Sequence, residues 1–345
     1  MLLENFRPQS KLTAKVTHVE KPRFPVIDAH NHLDEPFGGG WIYRPLDEIL
    51  AALDAAGVVG YVDLDGGWGE DVFDRHMNHL RPAADKFRVF GGVDWSKWAD
   101  LGDDFPAFAV ERLHAQKERG AFGLKIWKTF GLHVRDQYGH LVKVDDPRLD
   151  PLWRAAGDLE MPALIHVADP VAFFDPIDET NERWEELGAH PDWAFTSPPF
   201  PPFLEILGAF KNLVKRHPAT QFVGAHVGCY GENLGFAADM LDECPNCSID
   251  ISARIGELGR QPYSARRFFL KYADRILFGL DFGVDLANYR LSYRFFETDD
   301  EYFNYNVGDV PLQGRWHVCG LYLPDDVLKK FYYDNAARLL NFPPL

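Results

Sequence analysis

Short apolar runs of strand length alternate along this chain with longer stretches in which apolar residues recur at helical spacing. The predicted strands are Val26–His30, Val58–Leu64, Phe87–Val93, Phe122–Trp127, Pro162–Val167, Gln221–His226, Cys247–Ser252 and Ile276–Asp281. The predicted helices are Leu46–Ala56, Val72–Leu80, Phe105–Arg119, Leu149–Glu160, Leu204–His217, Asn233–Glu243 and Ser264–Ala273, with a last one over Pro324–Leu340. Eight strands alternating with helices of this length predict an α/β fold closed into a (β/α)8 TIM barrel. The last helix should pack outside the barrel or close its base.

The chain divides by pattern into a short leader and one large unit. Residues 1–24 are predicted to be an irregular leader segment, and residues 25–345 a single barrel domain. Two long loops rich in aromatic residues are expected, over about 168–203 after strand five and about 282–316 after strand eight. Both follow carboxyl strand ends, where substrate loops belong, but an oligomer interface or a stabilising cap fits them equally well.

Charge and hydropathy restrict the kinds of binding partner that the sequence predicts. The 52 acidic and 36 basic residues give a net charge of -16, which repels phosphate backbones and anionic membranes. Nucleic acid and membrane partners are therefore not expected. We expect a small-molecule substrate instead. The N-terminus carries charges where a signal peptide needs an apolar core, so we expect a cytoplasmic protein. The aromatic loops are compatible with a homodimer.

Four of the predicted strands lead directly into residues that can bind a divalent metal. His30 and His32 follow the first strand, His166 the fifth, His226 the sixth and Asp281 the eighth. Catalytic residues of a parallel barrel lie at the carboxyl ends of its strands. The first two imidazoles have the same parity on an extended chain, so they can bind one ion together. The pattern predicts a metal-dependent enzyme.

These residues resemble a known family. The Asp-x-His-x-His at 28–32, His166, the Ala-His-Val-Gly at 225–228 and the Phe-Gly-Leu-Asp at 278–281 resemble the amidohydrolase superfamily. The resemblance is to its amidohydrolase-related branch, which includes decarboxylases akin to aminocarboxymuconate semialdehyde decarboxylase. The C-terminal segment 330–340, with its Asn-Ala pair, also looks like that branch. Leu280 departs from it, because the branch usually has a small hydroxylated residue there.

The resemblance implies one divalent ion bound by His30, His32, His166 and Asp281, zinc by preference with manganese as the alternative. Such an ion lowers the pKa of a bound water toward ~7. Asp281 would take that proton and pass it to a leaving group. His226 would polarise the substrate oxygen or orient the water. Asp281 and His226 are thus the predicted catalytic residues.

Three further side chains are predicted to contact the substrate. Lys125 should point into the barrel because Leu124 and Ile126 face the helices, and a buried lysine needs a partner. It is expected to be a cation near the substrate or the ion-pair partner of an acid, while a metal-bridging carbamate is the alternative. Trp127 is the second candidate.

Arg254, which follows strand seven, is the third residue predicted to contact the substrate. Its planar guanidinium suits bidentate binding of a substrate carboxylate. An ion pair with Glu257 or Asp250 would explain the same residue without a substrate.

The sequence therefore predicts a metal-dependent hydrolase that acts on a small, carboxylate-bearing organic substrate through activated water. A non-oxidative decarboxylase using the same site is the first alternative, and only that enzyme would release carbon dioxide without consuming water. A catalytically silent barrel serving as a binding module is the second alternative. Retention of metal-binding residues at four strand ends argues against it.

Overall fold

The computed structural model describes residues 2, 9–35, 37–306 and 313–345. Eight parallel strands pair in chain order from first to last. They are β1 (Val26–Asn31), β2 (Val58–Asp63), β3 (Phe87–Gly91), β4 (Gly123–Ile126), β5 (Ala163–Ile165), β6 (Phe222–Gly224), β7 (Cys247–Asp250) and β8 (Ile276–Leu277). The sheet closes through backbone hydrogen bonds from Ala29 to Phe278 and from Asp281 to His30, 2.9 and 3.0 Å long. The predicted (β/α)8 barrel is confirmed.

The long helices form the outer layer. They are α1 (Leu46–Ala56), α2 (Glu70–Leu80), α3 (Phe105–Glu118), α4 (Asp150–Asp158), α5 (Phe203–Arg216), α6 (Leu234–Glu243), α7 (Pro262–Lys271) and α8 (Leu286–Glu297). Shorter α-helical turns are Trp98–Leu101, Thr129–Leu132, Trp184–Ala189, Ala225–Gly228 and Ile255–Leu258. The first seven long helices match the predicted ones within three residues at either end. No helix of the described residues is long and apolar enough to cross a membrane.

The predicted loop after strand eight is wrong in part, because α8 lies inside it. Asp285 caps this helix by accepting a hydrogen bond from the Asn288 backbone amide. Tyr289, Tyr293 and Phe296 follow at helical spacing and are buried. Their rings lie 6.1–6.3 Å from the ring of Phe278, so these aromatics form the barrel wall and not a substrate loop.

The last helix closes the base of the barrel, which decides between the two placements left open by the sequence. It consists of Asp325–Lys329, a wider turn over Lys330–Asp334, and Asn335–Leu340. Its inner face packs against barrel residues such as Ile27 and Leu277. This base lies at the amino ends of the strands. The opposite rim is therefore left open for a site.

The segment before the first strand and the connection after the fifth are irregular. Residues 9–24 contain no helix or strand, and Thr17 hydrogen-bonds to Asp300 beyond α8. The connection after β5 contains only short helical turns, including Val171–Phe174 and Pro191–Trp193. The predicted long loop after strand five is thus present, and it covers one side of the open rim.

Candidate active site

The polar residues predicted at the strand ends meet at the open rim. β1 ends at Asn31, and its register on β2 is irregular between Asp28 and Asn31. Because of this irregularity, alternation along β1 does not determine the direction of His30. Asp28 instead accepts a hydrogen bond from Tyr289 of α8, whereas His30 lies 3.3 Å from Lys125 of β4.

Asp281 and His226 are presented by left-handed backbone and not by regular strands. β8 ends at Leu277 and β6 at Gly224, so both residues lie beyond their strands. Asp281 has φ 63° and His226 has φ 56°. Such conformations cost energy for residues other than glycine and are concentrated at functional sites. Strand alternation therefore does not determine the direction of Asp281, although its carboxylate does reach the rim.

Three imidazoles face the Asp281 carboxylate. The Nε2 atom of His32 lies 3.4 Å from a carboxylate oxygen of Asp281, and those of His30 and His226 lie 3.8 Å away. The ligand atoms of His30, His226 and Asp281 lie within 4.8 Å of one another. His226, predicted as a catalytic residue and not as a metal ligand, is therefore as close to Asp281 as His30 is.

Each of these imidazoles is oriented through its other ring nitrogen. The Nδ1 atom of His30 lies 2.9 Å from Asp250, and that of His32 lies 2.6 Å from Asp65. The Nδ1 atom of His226 lies 2.8 Å from the Ser252 carbonyl oxygen. Since carboxylates and carbonyls accept hydrogen bonds, Nδ1 carries the proton and Nε2 presents its lone pair to the rim. Metal-binding histidines are held in this way.

His166 stands beside this group. Its ring centroid is 4.4 Å from that of His226, and its Nε2 atom is 3.4 Å from Asp169. Both ring nitrogens are buried without a hydrogen-bond partner among the described residues, and so is the Nε2 atom of His32. Buried polar atoms left unpaired are uncommon in folded proteins and need an explanation.

Burial determines the charge of most of the imidazoles. Burial lowers the pKa of His166 to about 4 and holds the pKa values of His30 and His226 well below the usual range. For His32, burial also acts to lower the pKa, but the Asp65 carboxylate outweighs it and the net shift is upward. Burial raises the pKa of Asp281. Neutral imidazoles are the form that binds metals.

These residues fit a divalent cation. The site combines imidazole Nε2 atoms without partners, a carboxylate in their midst and fixed Nδ1 protons. Imidazole and carboxylate together suit zinc and its first-row neighbours, including manganese. The structure thus brings His30, His32, His226 and Asp281 together. It places His166 next to His226, at the edge of the group.

We predict that Asp250→Asn weakens metal binding. Asp250 fixes His30 and also accepts hydrogen bonds from the His226 amide and the Ser252 hydroxyl. Loss of such a carboxylate behind a ligand usually lowers metal affinity about 10- to 100-fold. Titration of chelator-treated protein with Mn²⁺ against a competing indicator measures the change. Asp158→Asn, at an exposed position, is the control and should leave the affinity unchanged.

Lys125 points into the barrel, as predicted. It is 3 % exposed, and burial lowers its pKa to about 8. Its Nζ atom lies 3.3 Å from His30 Nε2, and none of the ion pairs among the described residues involves it. Lys125 thus makes no direct ion pair in this part of the chain, but the nearby Asp281 and Asp250 carboxylates favour its charged form, and its predicted role stays a prediction.

Arg254 lies in the wall of the cavity above the site and forms no close ion pair in the part of the chain that the structure describes. The alternatives from the sequence, Glu257 and Asp250, are wrong, because Glu257 pairs with Arg183 and Asp250 pairs with His30. Arg254 is 5 % exposed and donates a hydrogen bond to the carbonyl of Ala253. No carboxylate in residues 9–35, 37–306 and 313–345 forms an ion pair with it. Burial raises the pKa values of the Glu232, Glu186 and Asp281 carboxyl groups, and the charge of Arg254 opposes that rise. A buried guanidinium that makes no close ion pair is suited to bind an additional anion.

The site opens into a cavity of about 1240 Å³ with an aromatic lining. Trp127 lies in its wall, 5.1 Å from the ring of His166 and 6.4 Å from that of His32. Phe37 and Trp68 pack against Trp127 at 5.2 and 4.8 Å. The lining also includes His166, His226, Arg254 and Asp281.

Sequence reasoning missed the residues behind the imidazoles. Asp65 and Ser252 were not considered, and Asp250 was considered only as a partner of Arg254. A signal was present, since Asp250 ends β7 and Asp65 follows the end of β2 by two residues. Buried carboxylates at the carboxyl ends of barrel strands can be read as supports for the histidines of neighbouring strands.

Solved structures of the same fold include several decarboxylases. A 2,6-dihydroxybenzoate decarboxylase bound to 2,6-dihydroxybenzoate is 16% identical, with a TM-score of 0.59, and the match covers 92% of this chain and 99% of that one. A 5-carboxyvanillate decarboxylase from Sphingomonas paucimobilis is 14% identical, with a TM-score of 0.53 over 86% and 83%. A dihydroxybenzoic acid decarboxylase from a Polaromonas species, with bound manganese and 2-nitroresorcinol, is 15% identical, with a TM-score of 0.55 over 93% and 98%.

At these identities the structural likeness concerns the fold. No curated protein sequence matches the chain significantly. The model of one family, described as amidohydrolase, matches residues 27–342. Since this match spans nearly the whole barrel, the chain belongs to the amidohydrolase family.

Proposed function

We propose that this protein is a metal-dependent, non-oxidative decarboxylase of small aromatic carboxylates. The observation that carries the proposal is Arg254, a buried guanidinium that forms no close ion pair among the described residues and lines the same aromatic cavity as Asp281. An arginine so placed favours a planar anion, and carboxylate fits its two parallel N–H donors. The aromatic lining favours a flat ring attached to that anion.

The similar structures support the same chemistry. The proteins named above act on dihydroxybenzoate or carboxyvanillate, which are aromatic rings that carry a carboxylate, and one of them holds manganese. The sequence alone favoured hydrolysis, with decarboxylation as the alternative. The comparisons favour the alternative.

The proposed ion is manganese or zinc, held by His30, His32, His166 and Asp281 with His226 beside them. When bound, it supplies a positive charge that polarises the oxygen atoms of the substrate. The Nδ1 protons that Asp250 and Asp65 fix on His30 and His32 would hold these residues ready for it.

The chain's own residues can carry the reaction. Arg254 fixes the carboxylate, and Trp127 limits the tilt of the ring. The bond between the ring carbon and the carboxyl carbon breaks, carbon dioxide leaves, and the electron pair remains on the ring carbon. Asp281 delivers a proton to that carbon and regains one from water in the cavity. The substrate carboxylate and one proton thus become carbon dioxide and a C–H bond.

Isotope labels separate this reaction from hydrolysis. The metal-loaded protein is incubated in D2O with hydroxybenzoates, both single-ring and phenyl-substituted, that carry ¹³C in the carboxyl group, and gas and arene are analysed. The proposal expects ¹³CO2 and one deuterium on the product ring, both lost after chelation and restored by Mn²⁺. If a metal-dependent reaction instead adds solvent oxygen to the product without ¹³CO2, or if no hydroxybenzoate yields ¹³CO2, the decarboxylase proposal is wrong.

A further inference from the structure

The cavity is larger than a single-ring carboxylate requires. Its volume is about 1240 Å³, while pockets for small molecules usually measure ~300–1000 Å³. Arg254, Trp127 and Asp281 are among its lining residues. Much of the remainder is lined by the connection after β5, including Phe173, Trp193 and Phe195.

This second part has flat, apolar walls. We call Lys128, His133, Phe173, Trp193 and Phe195 the distal subsite; all five line the cavity. Phe173 and Trp193 are stacked, with centroids 6.4 Å apart and an interplanar angle of 19°. His133 meets Phe195 edge-on at 6.0 Å. Walls of this kind favour a second ring.

Lys128 provides the polar group of the distal subsite. Its Nζ atom lies 5.6–6.0 Å from the ring centroids of Trp127, Trp193 and Phe195. It donates one hydrogen bond, 2.5 Å long, to Asp169. An ammonium group has three donors, and no other acceptor of the described residues takes the remaining two. Because Asp169 already neutralises its charge, Lys128 favours a neutral oxygen over a second carboxylate.

Trp127 connects the two parts of the cavity. Its ring lies 5.1 Å from that of His166 and 5.6 Å from the Lys128 ammonium. A ligand that passes this ring therefore contacts both the predicted metal residues and the distal subsite.

We propose that the substrate has two ring-bearing parts: an aromatic carboxylate held by Arg254, and a second flat ring with a neutral hydroxyl or ether oxygen held by the distal subsite. This inference rests on the proposed function for the carboxylate end only. It extends the substrate class beyond the single-ring acids named for the similar structures.

Binding of unreactive probes tests the distal subsite. Dissociation constants of benzoate, biphenyl-3-carboxylate, biphenyl-4-carboxylate and the 4′-hydroxy derivatives of the biphenyls are measured by calorimetry on the metal-loaded protein. We expect one biphenyl to bind about tenfold tighter than benzoate or better. Trp193→Ala should remove that advantage and leave benzoate binding unchanged. Lys128→Met should remove the additional gain from the 4′-hydroxyl, about tenfold.

Matched variants control for indirect effects of the substitutions. Tyr263→Ala removes a 78 % exposed ring that does not line the cavity and should change nothing. If Trp193→Ala is poorly folded, Trp193→Leu repeats the comparison. Biphenyls that bind no tighter than benzoate, or an advantage that survives loss of Trp193, would overturn the distal subsite without touching the decarboxylase assignment. Tight, Trp193-dependent binding without release of carbon dioxide from any hydroxybenzoate would support the distal subsite and overturn the decarboxylase.

Discussion

Replacing Asp281 by asparagine is expected to lower kcat by about 10²–10⁴-fold, the usual contribution of a positioned acid or base. Asparagine keeps the shape of the side chain but can neither carry the negative charge nor deliver a proton. Three imidazole Nε2 atoms lie 3.4–3.8 Å from this carboxylate, so no other acid in the described part of the rim is placed equally centrally. The rate of ¹³CO2 release per metal-loaded protein measures the effect.

Asp239→Asn is the matched control for this change, since it makes the same substitution at an exposed position of α6. Its kcat should equal that of the unaltered protein. An Asp281→Asn protein that binds metal fully and retains more than about a tenth of the rate would show that another group supplies the proton.

The second large effect is expected from Arg254→Met. Removing one partner of a buried charge pair usually costs about 2–5 kcal/mol, which corresponds to roughly 30- to 5000-fold in kcat/KM. The methionine fills similar space without donors. Most of the loss should appear in KM, because the guanidinium binds the carboxylate before the carbon–carbon bond breaks.

Arg254→Lys separates the contribution of the two parallel donors from that of the positive charge. It keeps the cation but loses the two parallel donors, so its kcat/KM should lie between the values of the unaltered protein and Arg254→Met. Arg267→Met, on the exposed face of α7, is the control and should show full activity. An Arg254→Met protein with unchanged KM for carboxylate substrates would exclude this residue as their binding group.

The sequence predicted most of the strands and helices of the barrel, because these elements depend on local periodicity. The eight strands and seven of the barrel helices follow from apolar spacing and from glycines at the helix ends. The missed helix α8 carries the same signal in Tyr289, Tyr293 and Phe296. Its aromatic content is equally typical of a substrate loop, and the N-terminal signal that distinguishes the two is the capping residue Asp285.

The site could be predicted only as far as the strand ends that lead into it. The sequence located the histidines and Asp281, but the pairing of side chains from distant strands depends on the closed barrel. Glu257 is three residues from Arg254 yet pairs with Arg183 from the connection after β5. Asp281 reaches the rim through left-handed backbone that strand alternation does not predict. Contacts of this kind arise from packing and not from spacing along the chain.

The central claim is that imidazoles from separate strands and the Asp281 carboxylate bind one divalent ion at the carboxyl end of the barrel. Anomalous diffraction from crystals of the manganese-loaded protein tests it most directly. We predict a single manganese peak at the rim, within bonding distance of His30, His32, His166 and Asp281. A protein that takes up no manganese, or a peak bound away from the His30–His32 pair and Asp281, would contradict it.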